Sequence, residues 1–125
     1  MNKLPNVIET YINAYNQKDV DGMLACLCNS VEFQNITEGV VSASTTGKQE
    51  FRELAQLAVQ LFESRRQTVT HIISVADTTL VEIDFTARVA MDTSNGWKAG
   101  QELRLSGAAA FRVANGKIVS IIDES

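Results

Sequence analysis

Long runs of strict alternation in the second half of the chain constrain its fold more than any other feature. Val81, Ile83, Phe85, Ala87, Val89 and Met91 interleave with Glu82, Asp84, Thr86, Arg88, Ala90 and Asp92. Further on, Leu103, Leu105, Gly107, Ala109, Phe111 and Val113 interleave with Glu102, Arg104, Ser106, Ala108, Ala110 and Arg112. Successive strand side chains point to opposite faces, so the pattern specifies two long strands with one buried and one largely polar face. Asn95-Gly96 and Asn115-Gly116 sit at their ends. Both residue types tolerate the positive φ of a type I′ turn, which predicts an antiparallel meander with two tight hairpins. Helices from the first half must then cover the apolar face, and the space between is where a ligand is expected.

Ile8, Tyr11, Ile12 and Tyr15 recur at helical spacing and predict an amphipathic helix from about Leu4 to Gln17. Asp19 reads as the N-cap of a second helix carrying Val20, Met23, Leu24 and Leu27 and ending at Asn29-Ser30. Val31 to Asn35 alternates as a strand, and the Gly-, Ser- and Thr-rich stretch from Ile36 to Thr46 is a loop or a short irregular hairpin. Thr46-Gly47-Lys48-Gln49 fits a capping box. It opens a third helix to about Glu63 that buries Phe51, Leu54, Ala55, Ala58, Leu61 and Phe62. A strand over Gln67 to Val75, a turn at Asp77-Thr78, the two long strands and a last strand over Lys117 to Asp123 complete the order.

With 125 residues the chain, 1–125, is a single domain. A net charge of −4 argues against a nucleic-acid partner, and Arg65-Arg66 reads as a solvated helix end or strand start. Cys26 and Cys28, two apart on a predicted helix, point about 200° from each other and suit core positions in a reduced cytosol. One histidine and the absence of CxxC or HExxH spacing predict no metal site and no cofactor. His71 is expected at the core or a strand edge, and Trp97 in packing, at a dimer seam or capping a pocket mouth. The N-terminal residues lack the apolar run of a signal peptide, and no window is long enough to span a membrane. The expected location is cytoplasmic, without membrane contact.

Several short stretches then fall in a telling order: Tyr11-Ile12-Asn13-Ala14-Tyr15-Asn16, Asp19-Val20-Asp21-Gly22-Met23, Val31-Glu32-Phe33 and Gly47-Lys48-Gln49-Glu50-Phe51. Ala110-Phe111-Arg112-Val113 and Asn115-Gly116-Lys117-Ile118-Val119 follow. With these, nearly the whole chain resembles the nuclear transport factor 2-like superfamily, in its SnoaL-like and ketosteroid isomerase-like branch. The resemblance implies an α+β fold: a curved, mostly antiparallel sheet wrapped round three helices, a cone of cystatin-like topology with an internal pocket. It also implies a homodimer through the outer sheet face and a small hydrophobic organic ligand. As an enzyme, such a domain would be a metal-free proton-transfer catalyst of isomerase, cyclase or dehydratase type. The alternative is a non-enzymatic dimerisation or scaffold domain.

Ketosteroid isomerases stabilise a dienolate with a tyrosine and a protonated aspartic acid, and move the proton with a second aspartate. By resemblance the tyrosine matches Tyr11, the base falls on Asn35, which does not titrate, and the acid falls on Ala109. The usual steroid isomerisation is therefore not expected. SnoaL-like members often place an acid on the final strand, where Asp123 shares the parity of Val119 and Ile121. If that parity faces inward, Asp123 is the candidate base and Tyr11 its hydrogen-bonding companion. A one-residue slip would instead turn Ile118, Ser120 and Ile122 inward and leave Asp123 a hydrated chain end. Tyr15, Phe33, Asn35, Ala109, Phe111 and Ile121 are the candidate ligand-binding residues. Gly107 and Ala109 at inward positions leave room for a cavity, or for a helix to approach closely. Arg88, Arg104 and Arg112 fall on the outward parity with Asp84, away from any Asp-Arg-Asp cluster of epoxide-hydrolase type.

Overall fold

A computed structural model describes residues 3–125. The α1 helix (Asn6–Asn16) buries Ile8, Tyr11 and Ile12 of the expected stripe together with Ala14, while Tyr15 is half-buried. The α2 helix (Val20–Ala25) starts where expected, with the Asp19 carboxylate accepting the Gly22 N–H at 3.0 Å. It stops at Ala25, short of Asn29-Ser30. There the Ile118 N–H donates to Cys26 O at 2.9 Å and Leu27 pairs with Ile118, so sheet pairing captures the chain as β1 (Leu27–Thr37). Cys26 therefore caps the helix and Cys28 lies on the strand, both as free thiols.

The Ile36 to Thr46 stretch is a hairpin. Glu38 and Gly39, with φ of 53° and 78°, turn the chain into β2 (Val40–Thr46). The α3 helix (Lys48–Leu61) has Gly47 as its N-cap, and the side chain that reaches back is Glu50, not Gln49, accepting the Thr46 N–H at 2.9 Å. It runs straight into β3 (Phe62–Val75), which begins ahead of Gln67. Then follow β4 (Thr78–Val89), β5 (Glu102–Ala114) and β6 (Lys117–Glu124). The six strands lie in the order β2-β1-β6-β5-β4-β3, antiparallel except for the parallel β1–β6 pair. The fold is α+β, three helices against a curved, unclosed mixed sheet. Among the described residues no helix is long and apolar enough to cross a membrane.

Asn115-Gly116 makes the expected two-residue turn, with φ of 53° and 75°. Asn95-Gly96 does not. The β4–β5 ladder is last paired at Arg88 and Glu102, and residues 90–101 form a wide loop in which only Gly96 of the two has positive φ. Gly100, at φ 84°, donates its N–H to Val89 O at 2.7 Å and bends the returning chain, so the strands part well before the dipeptide.

The alternation holds in the main, with Val81, Ile83, Ala87, Val89, Leu103, Ala109 and Phe111 buried, but β4 ends at Val89, and Met91 and Leu105 are exposed. Most join a core with α1, α2 and α3 in which Tyr11 sits edge-on to Phe111 at 5.9 Å and Phe33 to Phe51 at 5.5 Å. Burying each such large side chain contributes about 1.5–3 kcal/mol. A second cluster, Phe62, Ala87, Val89 and Leu103 with Phe85 and Trp97 against it, closes the far end of β3–β5.

The C-terminus of α1 is fastened to edge strand β3. Asn16 Nδ2 donates to Gln67 O at 3.1 Å, and the Gln67 N–H donates to Asn16 Oδ1 at 2.7 Å. Arg65 is buried, not solvated: it is 5% exposed, with Nε donating to Tyr15 O at 3.0 Å and its guanidinium 3.7 Å from the Tyr15 ring centroid. The residue shares the inward parity of Gln67 and Val69, which places it beneath the end of α1. Asn16→Ala leaves both Gln67 backbone groups without their side-chain partner. It is expected to cost about 1–3 kcal/mol, read as a lower urea midpoint at unchanged m-value.

Candidate functional site

A cleft of about 310 Å³ opens between the two hydrophobic clusters. One wall is aromatic and aliphatic: Leu61, Phe62, Phe85 and Trp97, with Phe62 5.6 Å from Phe85 and 6.1 Å from Trp97 between ring centroids. The other presents Tyr15, Gln67, Asn35 and Asp123.

A β-bulge decides where Asp123 points. Arg112 pairs with Ser120 but Val113 pairs with Ile118, so Val119 is an extra residue on β6. Ile118 and Ile121 are both fully buried as a result, and Asp123 follows Ile121 inward. Neither uninterrupted register is correct, since Ile118 rather than Val119 accompanies Ile121. The end of β6 is held in the sheet: Asp123 pairs with Asn35 on one side and Ala109 on the other, and the Ser125 N–H donates to Ile36 O at 3.1 Å. The close approach over Gly107 comes from strand backbone, not from a helix. A Cβ there would lie 2.8 Å from Glu124 O.

Asn35, Asp123 and Ala109 thus form one cross-strand row on β1, β6 and β5, and directly opposed side chains sit about 4.5–5.5 Å apart at Cβ. The Asn35 amide is held by Ser42, with Nδ2 donating to Oγ at 2.9 Å. Asp123 is half-buried as a residue, and desolvation of its carboxyl raises the pKa from 3.8 to about 7. No described residue hydrogen-bonds that carboxyl to offset the effect. Burial pushes the Tyr11 and Tyr15 phenols above their usual range, the Asp123 charge adds to this, and Arg65 opposes it. The result is a carboxyl poised near neutrality beside phenols that stay protonated.

Of the residues expected at the site, Tyr15, Asn35 and Asp123 line the cleft together. Tyr11, Phe33, Ala109, Phe111 and Ile121 do not; they belong to the main core, where the Tyr11 ring covers Phe111 and the Phe51 ring covers Phe33. Tyr15, one turn beyond Tyr11 on α1, takes the cleft position. The sequence pattern does not single out Gln67, Phe62 or Phe85, although continuing the alternation of β3 back through Arg65 places Gln67 inward; Trp97, one of whose expected places is a pocket mouth, lines the cleft. His71 is exposed on edge strand β3, 3.8 Å from Glu82. Among the described residues no group of three or more His, Cys, Asp or Glu could hold a metal ion.

The raised carboxyl sets a sign for stability against pH. Between 3.8 and about 7 the folded state keeps a proton that the unfolded state has lost, so stability falls as pH rises through that window and levels off above it. Asp123→Asn is therefore expected to stabilise the domain above pH 7, with much less effect near pH 4. Denaturant unfolding at both pH values checks this, and carbon-detected NMR titration of the Asp123 carboxyl should give a midpoint near 7.

The fold recurs in solved structures. A candidate polyketide cyclase from Xanthomonas campestris pv. campestris is 24% identical, with a TM-score of 0.74 over 96% of this chain and 87% of that one. A candidate hydroxylase from Streptomyces galilaeus is 17% identical, with a TM-score of 0.75 over 94% and 84%. A protein of ketosteroid isomerase-like fold from Catenulispora acidiphila, in complex with trimethylamine, is 13% identical, with a TM-score of 0.80 over 97% and 85%. No curated protein matches the sequence. The SnoaL-like domain profile matches residues 8–121, and the chain belongs to that family.

Proposed function

We propose that the cleft binds a small hydrophobic organic molecule and that Asp123 exchanges a proton with it. The observation that carries this reading is a carboxyl of pKa about 7, without a hydrogen-bond partner among the described residues, on the wall of a largely apolar cleft. A group that titrates near working pH is both available as a base and strong enough to act. With a carbonyl compound bound, the Asp123 carboxylate would take a proton from the carbon beside the carbonyl. Tyr15, kept protonated, would donate a hydrogen bond to the oxygen as it gains charge. Returning the proton to the same or another atom gives isomerase, cyclase or dehydratase chemistry, in line with the cyclase named among the structural relatives. Solvent deuterium exchange at the α-carbon of an aromatic ketone such as 1-tetralone tests it. The wild type should accelerate exchange with an inflection near pH 7, and Asp123→Asn should lose about a hundredfold while the ketone still quenches Trp97 fluorescence. Exchange unaffected by the substitution would refute the role given to Asp123.

The outer sheet face supports a second element of the reading, a homodimer. Ile73, Leu80, Ala110 and Ile122 are successive cross-strand partners on β3, β4, β5 and β6, and Ile73, Leu80 and Ile122 are exposed. An isologous partner would cover this apolar row with its own. Light scattering at micromolar concentration should give twice the chain mass, and Leu80→Glu should return it to the monomer value.

A further inference from the structure

We propose that the ligand of the cleft is a hydrophobic amine, held as its ammonium ion between the Asp123 carboxylate and the rings of Tyr15, Phe62, Phe85 and Trp97. The inference rests on the cleft-binding reading above and adds to it the charge of the ligand. Its basis is the imbalance of the walls: they include Asp123 and no lysine, arginine or histidine. Two cations lie behind the walls and are absent from the lining: Arg65 is stacked on the Tyr15 ring and donates to Tyr15 O, and Lys18 Nζ donates to Phe62 O. A carboxylate ligand would meet Asp123 with no positive group in the lining to compensate it. A neutral ligand without a hydrogen-bond donor would leave the carboxylate unpartnered. An ammonium ion satisfies the carboxylate, and its alkyl groups lie against ring faces that attract cations. The proton balance closes without another reactant. A neutral amine entering the cleft takes the proton of the Asp123 carboxyl, and the carboxylate–ammonium pair remains.

The groups that set the charge state face Asp123 from few directions. Tyr11 and Tyr15 approach from α1 and stay neutral. Asn35 on β1 and Ala109 on β5 do not titrate, and Glu124 is its chain neighbour. Ammonium affinity should therefore weaken as pH falls through about 7, as the carboxyl takes up its proton.

One skeleton in three charge states tests the proposal: 4-phenylbutylamine, 4-phenylbutanol and 4-phenylbutyrate, titrated against the intact chain with Trp97 fluorescence and calorimetry as readouts. Above pH 7 the amine should bind about tenfold more tightly than the alcohol, and the carboxylate most weakly. Asp123→Asn should abolish the preference for amine over alcohol and leave alcohol binding in place. Equal binding of amine and alcohol by the wild type, or tightest binding of the carboxylate, would overturn the amine inference while the cleft reading stands. Binding of none of the three would overturn both. The ordering on the wild type decides the matter even if the variant fails to fold.

Discussion

The reciprocal amide pair between Asn16 and the Gln67 backbone is the contact on which the cleft depends. Strand β3 lies at the edge of the sheet, so the outer side of its backbone has no strand partner, a situation that invites unwanted pairing. Asn16 supplies the missing donor and acceptor at Gln67. Around it, Arg65 Nε takes Tyr15 O, and Lys18 Nζ donates to Phe62 O at 2.8 Å. These side chains hydrogen-bond backbone groups at a helix end and a strand edge, in addition to the Lys18 N–H that Tyr15 O already accepts. They also fix Tyr15 and Gln67 on the cleft wall. Arg65 carries a buried charge with no carboxylate beside it, offset by a carbonyl and a ring face. Its place is in this joint between helix and strand.

The chemistry turns on a second constraint, the extra residue at Val119. An even register would set Ile118 and Asp123 on opposite faces, because strand parity has a period of two. The bulge lets Ile118 and Ile121 both enter the core and carries Asp123 to the inner face. There it stands between Asn35 and Ala109, the two positions that by resemblance to ketosteroid isomerases would carry the base and the acid. The carboxyl thus lies on the strand between those two positions. Ala109 leaves space beside it, and Gly107, two residues back, lets the Glu124 carbonyl pack against β5.

Regular features were legible in the sequence, and pairing-dependent ones were not. The alternation in β4 and β5, the α1 stripe, the Asp19 cap and the Asn115-Gly116 turn are local patterns, and each appears in the structure. The end of α2 was misjudged because β1 is captured by β6, far along the chain. The Asn95-Gly96 turn was misjudged because Gly100 bends the chain before the strands can close on the dipeptide. Gln49 was assigned to a cap that Glu50 makes. On the cleft wall, Tyr15 and Asn35 are legible as lining residues, whereas the presence of Tyr15 there in place of Tyr11 depends on how far α1 extends over the sheet, and that of Asp123 on the register of β6. The register of β6 was open because its residues are apolar in both parities, and only pairing with β5 reveals the bulge.

The cleft itself follows from unequal lengths. The α1 helix stops at Asn16 and α3 at Leu61, while β4 continues to Val89 and β5 starts only at Glu102. Inward residues at that end meet only the last residue of α3, Leu61, and the loop of residues 90–101, which brings Trp97 onto Phe62. Phe62, Val89 and Leu103 make a small core of their own, and the gap between the two cores stays open. A leucine would suit such a gap better than a carboxyl, since it would gain burial and lose no solvation. With a pKa raised to about 7, Asp123 lowers the stability of the fold at neutral pH relative to that alternative. Under the proposed reading, a group that weakens the fold and has no internal partner among the described residues is accounted for by a ligand, whose contact with the carboxyl would repay the loss.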